Sequence, residues 1–311
     1  MIENPNQLPK LIRSADLSVQ QLHTFRQVYE QSGYAAAARA TGLSVPTVWQ
    51  QINGLEQLYG EKLFEKKGRR VNVTNAATRL YDAIIPILNG LESSFEVVGR
   101  SNESTGGITL VTGVRMMLED LAKPLAKFRQ RYDINLSILH GNNRRAEELI
   151  IAEEADMALT LESGYRQETS HIHYEPAYLI DFLAVAPKSH PFSVAGKTSL
   201  RELVKHDLVV TVRGTHGRDA LEQALHRERL QANIKVETDN SGFTISCVQA
   251  GMGVGILAGR PNGQLCRRLA VHSFSRQLGR RQIMFMWKKG RILTAPMQAI
   301  VDEVRRSHAA N

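Results

Sequence analysis

Cysteine is nearly absent from this sequence: Cys247 and Cys266 are the two in 311 residues. They are too few and too oddly spaced for a disulfide framework or a thiolate metal site, and a reducing cytoplasm is the expected compartment. No run approaches the roughly 18 apolar residues of a membrane span. The N-terminal "MIENPNQLPKLIRSADLS" has no apolar core of the signal-peptide kind. Catalytic signatures are lacking too: no nucleophile elbow and no Gly-Lys-Ser/Thr phosphate loop. "GMGVG" (251–255) follows an expected helix and opens an expected strand, the reverse of a dinucleotide fingerprint, and reads as a tight turn. "HIH" (171–173) has no Cys or carboxylate partner at ligand spacing. No cofactor, metal or enzymatic role is expected.

An acidic surplus is missing as well. The formal net charge is +8, which permits a polyanionic partner. Residues 1–104 hold eleven basic and ten acidic side chains, so only +1 of that surplus lies there. Nucleic-acid binding by this part must rest on where its charges stand.

What the first part does have is a series of capped helices. Residues 18–32 carry Ser18 as a cap, with Leu22, Phe25, Val28 and Tyr29 facing inward. A short helix, "AAAARA" (35–40), and a turn at Thr41-Gly42 lead into "LSVPTVWQQINGLEQLYG". There Ser44 caps, Pro46 costs little in the first turn, and Gly60 ends the helix. Val48, Ile52 and Leu55 form one stripe, and Pro46, Gln50, Asn53 and Gln57 the opposite face, flanked by Thr47 and Trp49. Two helices joined by a tight turn make a helix-turn-helix whose second helix enters a groove. Carboxamides such as Gln50 and Asn53 can pair with adenine edges there. Trp49 fits either a structural wedge against the first helix or the dimer helix, or a thymine-methyl or sugar contact.

"EKLFEKKGRRVNVT" reads as a hairpin turning at Lys67-Gly68, and Lys66, Lys67, Arg69 and Arg70 place phosphate-binding charge on that wing. Thr74 then caps a helix over 75–99. Its Ala77, Tyr81, Ile84, Leu88, Leu91, Phe95 and Val98 are spaced 4, 3, 4, 3, 4, 3, heptad spacing that points to self-association through this seam. Pro86 is expected on the outer face as a kink.

"SNESTGG" (101–107) reads as a polar linker. Beyond it strands and helices alternate: strand "ITLVTG", helix 117–131 (Leu118, Leu121, Leu125, Phe128 inward), strand "INLSIL", helix 144–152, strand "DMALTL". A second run starts with "DFLAVAP". The fold class expected is multi-domain α/β, with mostly parallel sheets in two lobes. Ligands bind such sheets in the crevice at strand carboxyl ends. Thr112, Gly113 and Arg115 stand where the first strand turns into its helix, and Thr160 lies near the end of "DMALTL". Thr215, His216 and Arg218 open the expected helix 218–229, and Asn240 with Ser241 precedes another. Helix starts of this kind favour an anion; simple capping is the competing reading for each.

These residues carry a resemblance. "LHTFRQVYEQSGYAAAARATGLSVPTVWQQINGLEQLYGEKLF…VNVT" is similar to the winged helix-turn-helix of LysR-type transcriptional regulators. Leu22, Phe25, Ala37, Ala38, Ser44, Leu63 and Phe64 match the family's pattern. "GITLVTG", "ADMALTL", "SHPF", "LVVTVRGTHGR" and "QAGMGVGIL" extend the likeness over nearly the whole chain. "GTHGR" (214–218) resembles the turn of the cysteine-biosynthesis regulators, with His216 where those carry Thr.

The resemblance implies double-stranded DNA as partner, at an imperfect inverted repeat. It also implies a periplasmic-binding-protein-like effector domain, expected from its helix starts to take a small anion, and dimers through the linker helix, often paired into tetramers. Several positions depart from the pattern: Tyr34 for the usual Ser, Thr41 for Leu, Val45 for Gln, Trp49 for Ser, Gln50 for Arg or Lys, and Ala77 for Gly.

The expected organisation is a flexible extension (1–17), the winged domain (18–74), a dimerising helix (75–100) and an effector domain (107–308). In the last, lobe I spans about 107–180 and 268–308, and lobe II about 181–267. The competing class, a solute-binding or enzymatic α/β protein with an accessory DNA-binding domain, would need a signal sequence or a catalytic motif.

Overall fold

The computed structural model describes residues 17–67, 70–99, 107–162, 171–195 and 199–309. Most of the N-terminal extension, the wing-tip Gly68 and Arg69, and most of the linker segment lie outside the described residues, as do the side chains of Lys66, Lys67 and Arg70. The chain divides into two compact units, residues 1–101 with Lys289–Ile292, and the remainder.

In the first unit, α1 (Val19–Gln31) starts on a capping box. Ser18 Oγ accepts from Gln21 N–H (3.1 Å) and Gln21 Oε1 accepts from Ser18 N–H (2.8 Å). Helix α2 (Tyr34–Thr41) has Gly33 at its N-cap and no side-chain cap bond. Tyr34 sets its ring edge-on to Phe64, and the Thr41 hydroxyl donates back to the Ala37 carbonyl (2.8 Å). α3 (Val45–Tyr59) is capped by Ser44 and ends at Gly60 in the left-handed region. Val48, Ile52 and Leu55 are fully buried among Leu22, Phe25 and Val28. Strands β1 (Phe64–Lys67) and β2 (Arg70–Val73) pair antiparallel. Buried Glu56 ties the wing to α3, accepting from Leu63 N–H (2.9 Å) and Phe64 N–H (3.2 Å).

Helix α4 (Asn75–Gly99) runs as one helix through Pro86. Its heptad seam divides in two. Ala77, Tyr81, Ile84 and Leu88 are buried in the core of their own unit, with Tyr81 stacked on Tyr29 (4.0 Å) and donating to Glu30 (2.8 Å). Tyr81, Ile84 and Leu88 are therefore packing residues of the winged domain, a correction to the expected dimer seam. Packing on α1 demands the same 3-4 spacing that a dimer partner would. Further along, Ile87, Leu91, Phe95 and Val98 are exposed. Pro86 is half-buried, because the turn Lys289–Ile292 lies on it. Asn89 Nδ2 donates to the Lys289 carbonyl (2.8 Å). Gly290 has φ +86° and no room for a Cβ, which would sit 2.0 Å from the Pro86 carbonyl oxygen.

The second unit is built on one mixed sheet of order β4-β3-β5-β11-β6-β9-β7-β8, with β10 on β6. Strands β3 (Ile108–Thr112), β4 (Leu136–His140) and β5 (Met157–Leu161) are parallel and form lobe I. Strands β7 (Asp207–Thr211), β8 (Asn233–Thr238) and β9 (Val254–Gly259) are parallel and form lobe II; α7 (Asn143–Ile151) precedes β5, and α8 (Pro191–Ala195) and α9 (Leu200–Leu203) precede β7. β6 (Ile172–Pro187) and β11 (Arg280–Lys288) run antiparallel to their neighbours and join the lobes. Asp181 is the junction, paired with Arg280 on one side and Gly259 on the other. Alternation along β6 serves both faces of the sheet: Phe182, Ala184 and Ala186 enter one core and Leu183 and Val185 the other.

Two expectations change here. The segment after 268 stays in lobe II as β10 (Leu269–Ser273), paired with β6, and a short helix α12 (Ser275–Leu278), before the chain returns at Arg280. The expected helix 117–131 is α5 (Val114–Met116), a π-helical turn (Met117–Leu121) and α6 (Ala122–Arg131). The wider turn shifts the register: Leu121, Leu125 and Phe128 stay inward while Leu118 is turned out. The Gly251–Gly255 segment does make a turn, between α11 (Ser241–Gln249) and β9, and Gly253 passes so near the Asp207 carbonyl that a Cβ would meet it at 2.4 Å.

Candidate nucleic-acid interface and effector cleft

The outer face of α3 is open. Trp49 is 58% exposed, which excludes a wedge against α1, and Gln50 is exposed while Asn53 is half-buried. Pro46 is exposed in the first turn, and the Thr47 hydroxyl lies 2.8 Å from the Ser44 hydroxyl, so Ser44 and Thr47 are engaged in capping. An indole and a carboxamide left in solvent opposite a fully buried stripe form a surface that can read base edges. On the wing, the register sets Lys66 opposite Val71 and Lys67 opposite Arg70. Three basic residues therefore share two adjacent rungs.

The nine cleft residues do not act alike. Gly113 caps α5 without a side-chain acceptor. Asn240 caps α11, its Oδ1 accepting from Phe243 N–H (3.1 Å). These two helix starts meet: a Cβ on Gly242 would lie 3.3 Å from Val114 Cγ1. Gly113 and the Asn240–Ser241 pair are thus brought together across the lobes. The buried hydroxyl of Thr112 donates to the Leu159 carbonyl (2.9 Å), and that of Thr160 lies 3.0 Å from Met286 Sδ. Thr215 caps α10 (His216–Glu228) only through its backbone, its hydroxyl donating to the Val212 carbonyl (2.8 Å).

Both arginines are already matched by carboxylates. Arg218 donates to Glu222 (2.6 Å) and to Glu237. Arg115 is buried with Asp120 (2.8 Å) and Glu119 (3.4 Å). Neither is the free anion-binding cation that its position suggested.

Asp120 is the centre of this buried network, reached also by Arg260 Nη2 (3.0 Å) and His308 Nε2 (3.3 Å). Burial alone would raise its pKa, but the Arg115 charge and the His308 hydrogen bond outweigh it and bring it down to about 2. Burial pushes the neighbouring Glu119 carboxyl up, with Arg115 offsetting part of the rise. Burial and then the Arg281 guanidinium hold His216 below its ordinary value, against smaller opposing effects of Asp219 and Glu162. Arg281 and Glu162 had not been singled out as cleft residues. The Arg-Arg pair at the head of "RRQIMFMW" is the signal that could have pointed to Arg281.

Residues 101–309 match the LysR substrate binding domain, and residues 19–78 the bacterial regulatory helix-turn-helix of the lysR family. The chain belongs to the LysR family of DNA-binding transcription regulators. It is 28% identical to the HTH-type transcriptional regulator CysB of Burkholderia cenocepacia, over 76% of this chain and 77% of that protein. It is 26% identical to the HTH-type transcriptional activator CmpR of a Synechocystis strain, over 78% and 79%. The fold is shared with the cofactor-binding domain of the Cbl transcriptional regulator, with TM-score 0.57 and 18% identity over 68% of this chain and 96% of that one. As in LysR regulators generally, a DNA-binding domain is joined to a domain for a small-molecule effector. Among the described residues, no helix is long and apolar enough to cross a membrane.

Proposed function

We propose that this LysR regulator binds an imperfect inverted repeat as a cytoplasmic homodimer, itself able to pair into tetramers, and that a small anion in the interlobe cleft adjusts its DNA binding. It acts as a regulator and not as an enzyme. The winged domain (18–74) holds the DNA, α4 joins the copies, and residues 107–308 take the effector. The exposed Trp49–Gln50 edge of α3, opposite its buried stripe, carries this reading. Gln50 and Asn53 are assigned to base edges, Trp49 to a thymine methyl, Ser44, Pro46 and Thr47 to the backbone at the helix start, and Lys66, Lys67, Arg69 and Arg70 to phosphates.

Wing and helix are separable by experiment. Lys67→Ala should leave sequence preference intact and reduce the slope of log affinity against log salt by about one unit. Binding measured by fluorescence anisotropy over a salt series checks this. A slope equal to that of the wild type removes the wing from the phosphate contacts.

For the cleft, the supporting geometry is the meeting of two helix starts, at Gly113 and Ser241; His216, at the start of α10, and the Arg281 whose charge acts on it are assigned as the nitrogen donors. With Arg115 and Arg218 matched by carboxylates, the anion is held by backbone N–H groups, His216 and Arg281. Because the His216 pKa lies below its ordinary 6.5, the ring is neutral at pH 7. An anion beside it favours protonation, so affinity should rise as the pH falls below the ordinary histidine range. Titration of the effector anion by calorimetry across this range should show that rise, and His216→Gln should flatten it. A wild-type affinity that does not change with pH contradicts a role for the ring.

A further inference from the structure

The positive charge of this chain is concentrated outside its winged domain. Residues 1–104 hold +1 of the net +8, and the remaining +7 lies beyond them. Part of that surplus is gathered on one helix. Residues 121–131 contain Lys123, Lys127, Arg129 and Arg131 and no acidic side chain. In α6, Lys123, Lys127 and Arg131 are exposed at i, i+4 and i+8, which sets them in one stripe about 12 Å long. Arg129 pairs with Asp133 (3.6 Å) and Arg131 with Glu303 (3.0 Å); among the described residues neither lysine makes an ion pair.

Such a stripe is unfavourable by itself, because like charges one helical turn apart repel. The helix dipole accounts for Arg129 and Arg131 in the last turn, but not for the two lysines before them. The neighbouring helix adds to the charge. α13 (Ala295–Ala309) packs beside α6, and a groove of about 430 Å³ is lined by Lys127, Gln130, Arg131, Glu303, Arg306 and Ser307. None of these is apolar, so a ligand that binds through apolar surface gains little there. Glu303, with its side chain 4% exposed, accepts from both Arg131 and Arg306 (3.0 Å each). One buried carboxylate thus holds two guanidinium groups side by side, each more than half exposed and with further N–H groups to donate. Asp302 on the same helix accepts from Gln298 (3.0 Å).

We propose that Lys123, Lys127, Arg131 and Arg306 form a second DNA contact, made by the effector domain itself to the sugar-phosphate backbone. The partner is the duplex that this regulator already binds. One strand presents a phosphate for about every 3.4 Å of helix axis, so the stripe faces about three of them. The lysines meet phosphates as point charges and the two guanidinium groups as paired donors. The contact carries no sequence information. It supplies the general attraction to DNA that a winged domain with a balance of +1 lacks. Operator reading by α3 is independent of it, and either can hold without the other.

The test uses the full-length protein and a long mixed-sequence duplex, with affinity measured by fluorescence anisotropy over a salt series. The double variant Lys123→Gln/Lys127→Gln should reduce the slope of log affinity against log salt by about two units for each chain that touches the DNA. Both lysines are exposed, so the variant keeps its fold, which circular dichroism checks. Arg144→Gln/Lys188→Gln removes the same charge from exposed positions off the stripe and should leave the slope unchanged. The proposal is overturned by an unchanged slope in the lysine pair, or by an equal reduction in the control pair, which would make the effect one of bulk charge. A slope unchanged on the duplex but reduced on single-stranded RNA would assign the stripe to another polyanion and also overturn it. A slope lowered by Lys67→Ala beside an unchanged lysine pair would retain the wing and remove the stripe, so the two readings fail separately.

Discussion

Replacing Asp120 by Asn should lower the unfolding free energy of the effector domain by about 3–5 kcal/mol at neutral pH, the cost of breaking a buried ion pair from one side. The reason is local. Asp120 is fully buried, and the change leaves Arg115 facing only Glu119 at 3.4 Å, while Arg260 and His308 lose a charged acceptor. The pH dependence has a fixed sign. A carboxyl lowered from 3.8 to about 2 contributes stability that is present above 3.8 and lost as the pH falls through about 2. Wild type and Asp120→Asn should therefore draw closer, without fully converging, between pH 4 and pH 2. Urea denaturation of the full chain, following the effector-domain transition, measures both effects. Equal midpoints at neutral pH would mean that the network contributes nothing net.

Phe95→Asp should convert the dimer to monomers and weaken binding to an inverted repeat by about a hundredfold or more, because the second half-site is then no longer bound intramolecularly. Ile87, Leu91, Phe95 and Val98 make an exposed apolar stripe along the distal half of α4, at 63%, 39%, 73% and 78% exposure. Such a stripe on one helix is the kind of surface that a second copy would cover. Leu88→Asp would fail for a different reason: Leu88 is 3% exposed inside the winged domain, so a charge there unfolds that domain. Light scattering after size exclusion, with circular dichroism, separates the outcomes. A folded Phe95→Asp protein that remains dimeric would place the seam elsewhere.

The comparison of Leu88 with Phe95 shows how far the sequence was legible. Helix boundaries came through where side chains cap backbone groups: Ser18, Ser44 and Gly60 each stand where the structure ends or begins a helix. The Val48–Ile52–Leu55 stripe came through because burial and spacing agree. Tyr81, Ile84 and Leu88 were misplaced because spacing says that a face is covered and not by what. The register of 117–121 was illegible for a related reason, since a π-turn departs from the 3.6-residue period in response to contacts distant in sequence, Arg260 and His308 among them. Arg115 and Arg218 looked like free cations because their partners, Asp120, Glu222 and Glu237, are chosen by the fold. Trp49 was open between wedge and contact, and its exposure removes the wedge against α1.

Base reading by α3 through Gln50 and Asn53 is open to direct test. Selection of bound sequences from a random duplex library, run with the wild type and with Gln50→Ala and Asn53→Ala, tests it most directly. An enriched inverted repeat is expected for the wild type, with preference lost at particular base pairs, different for each variant. An identical enriched sequence in all three, with only weaker binding in the variants, would contradict it.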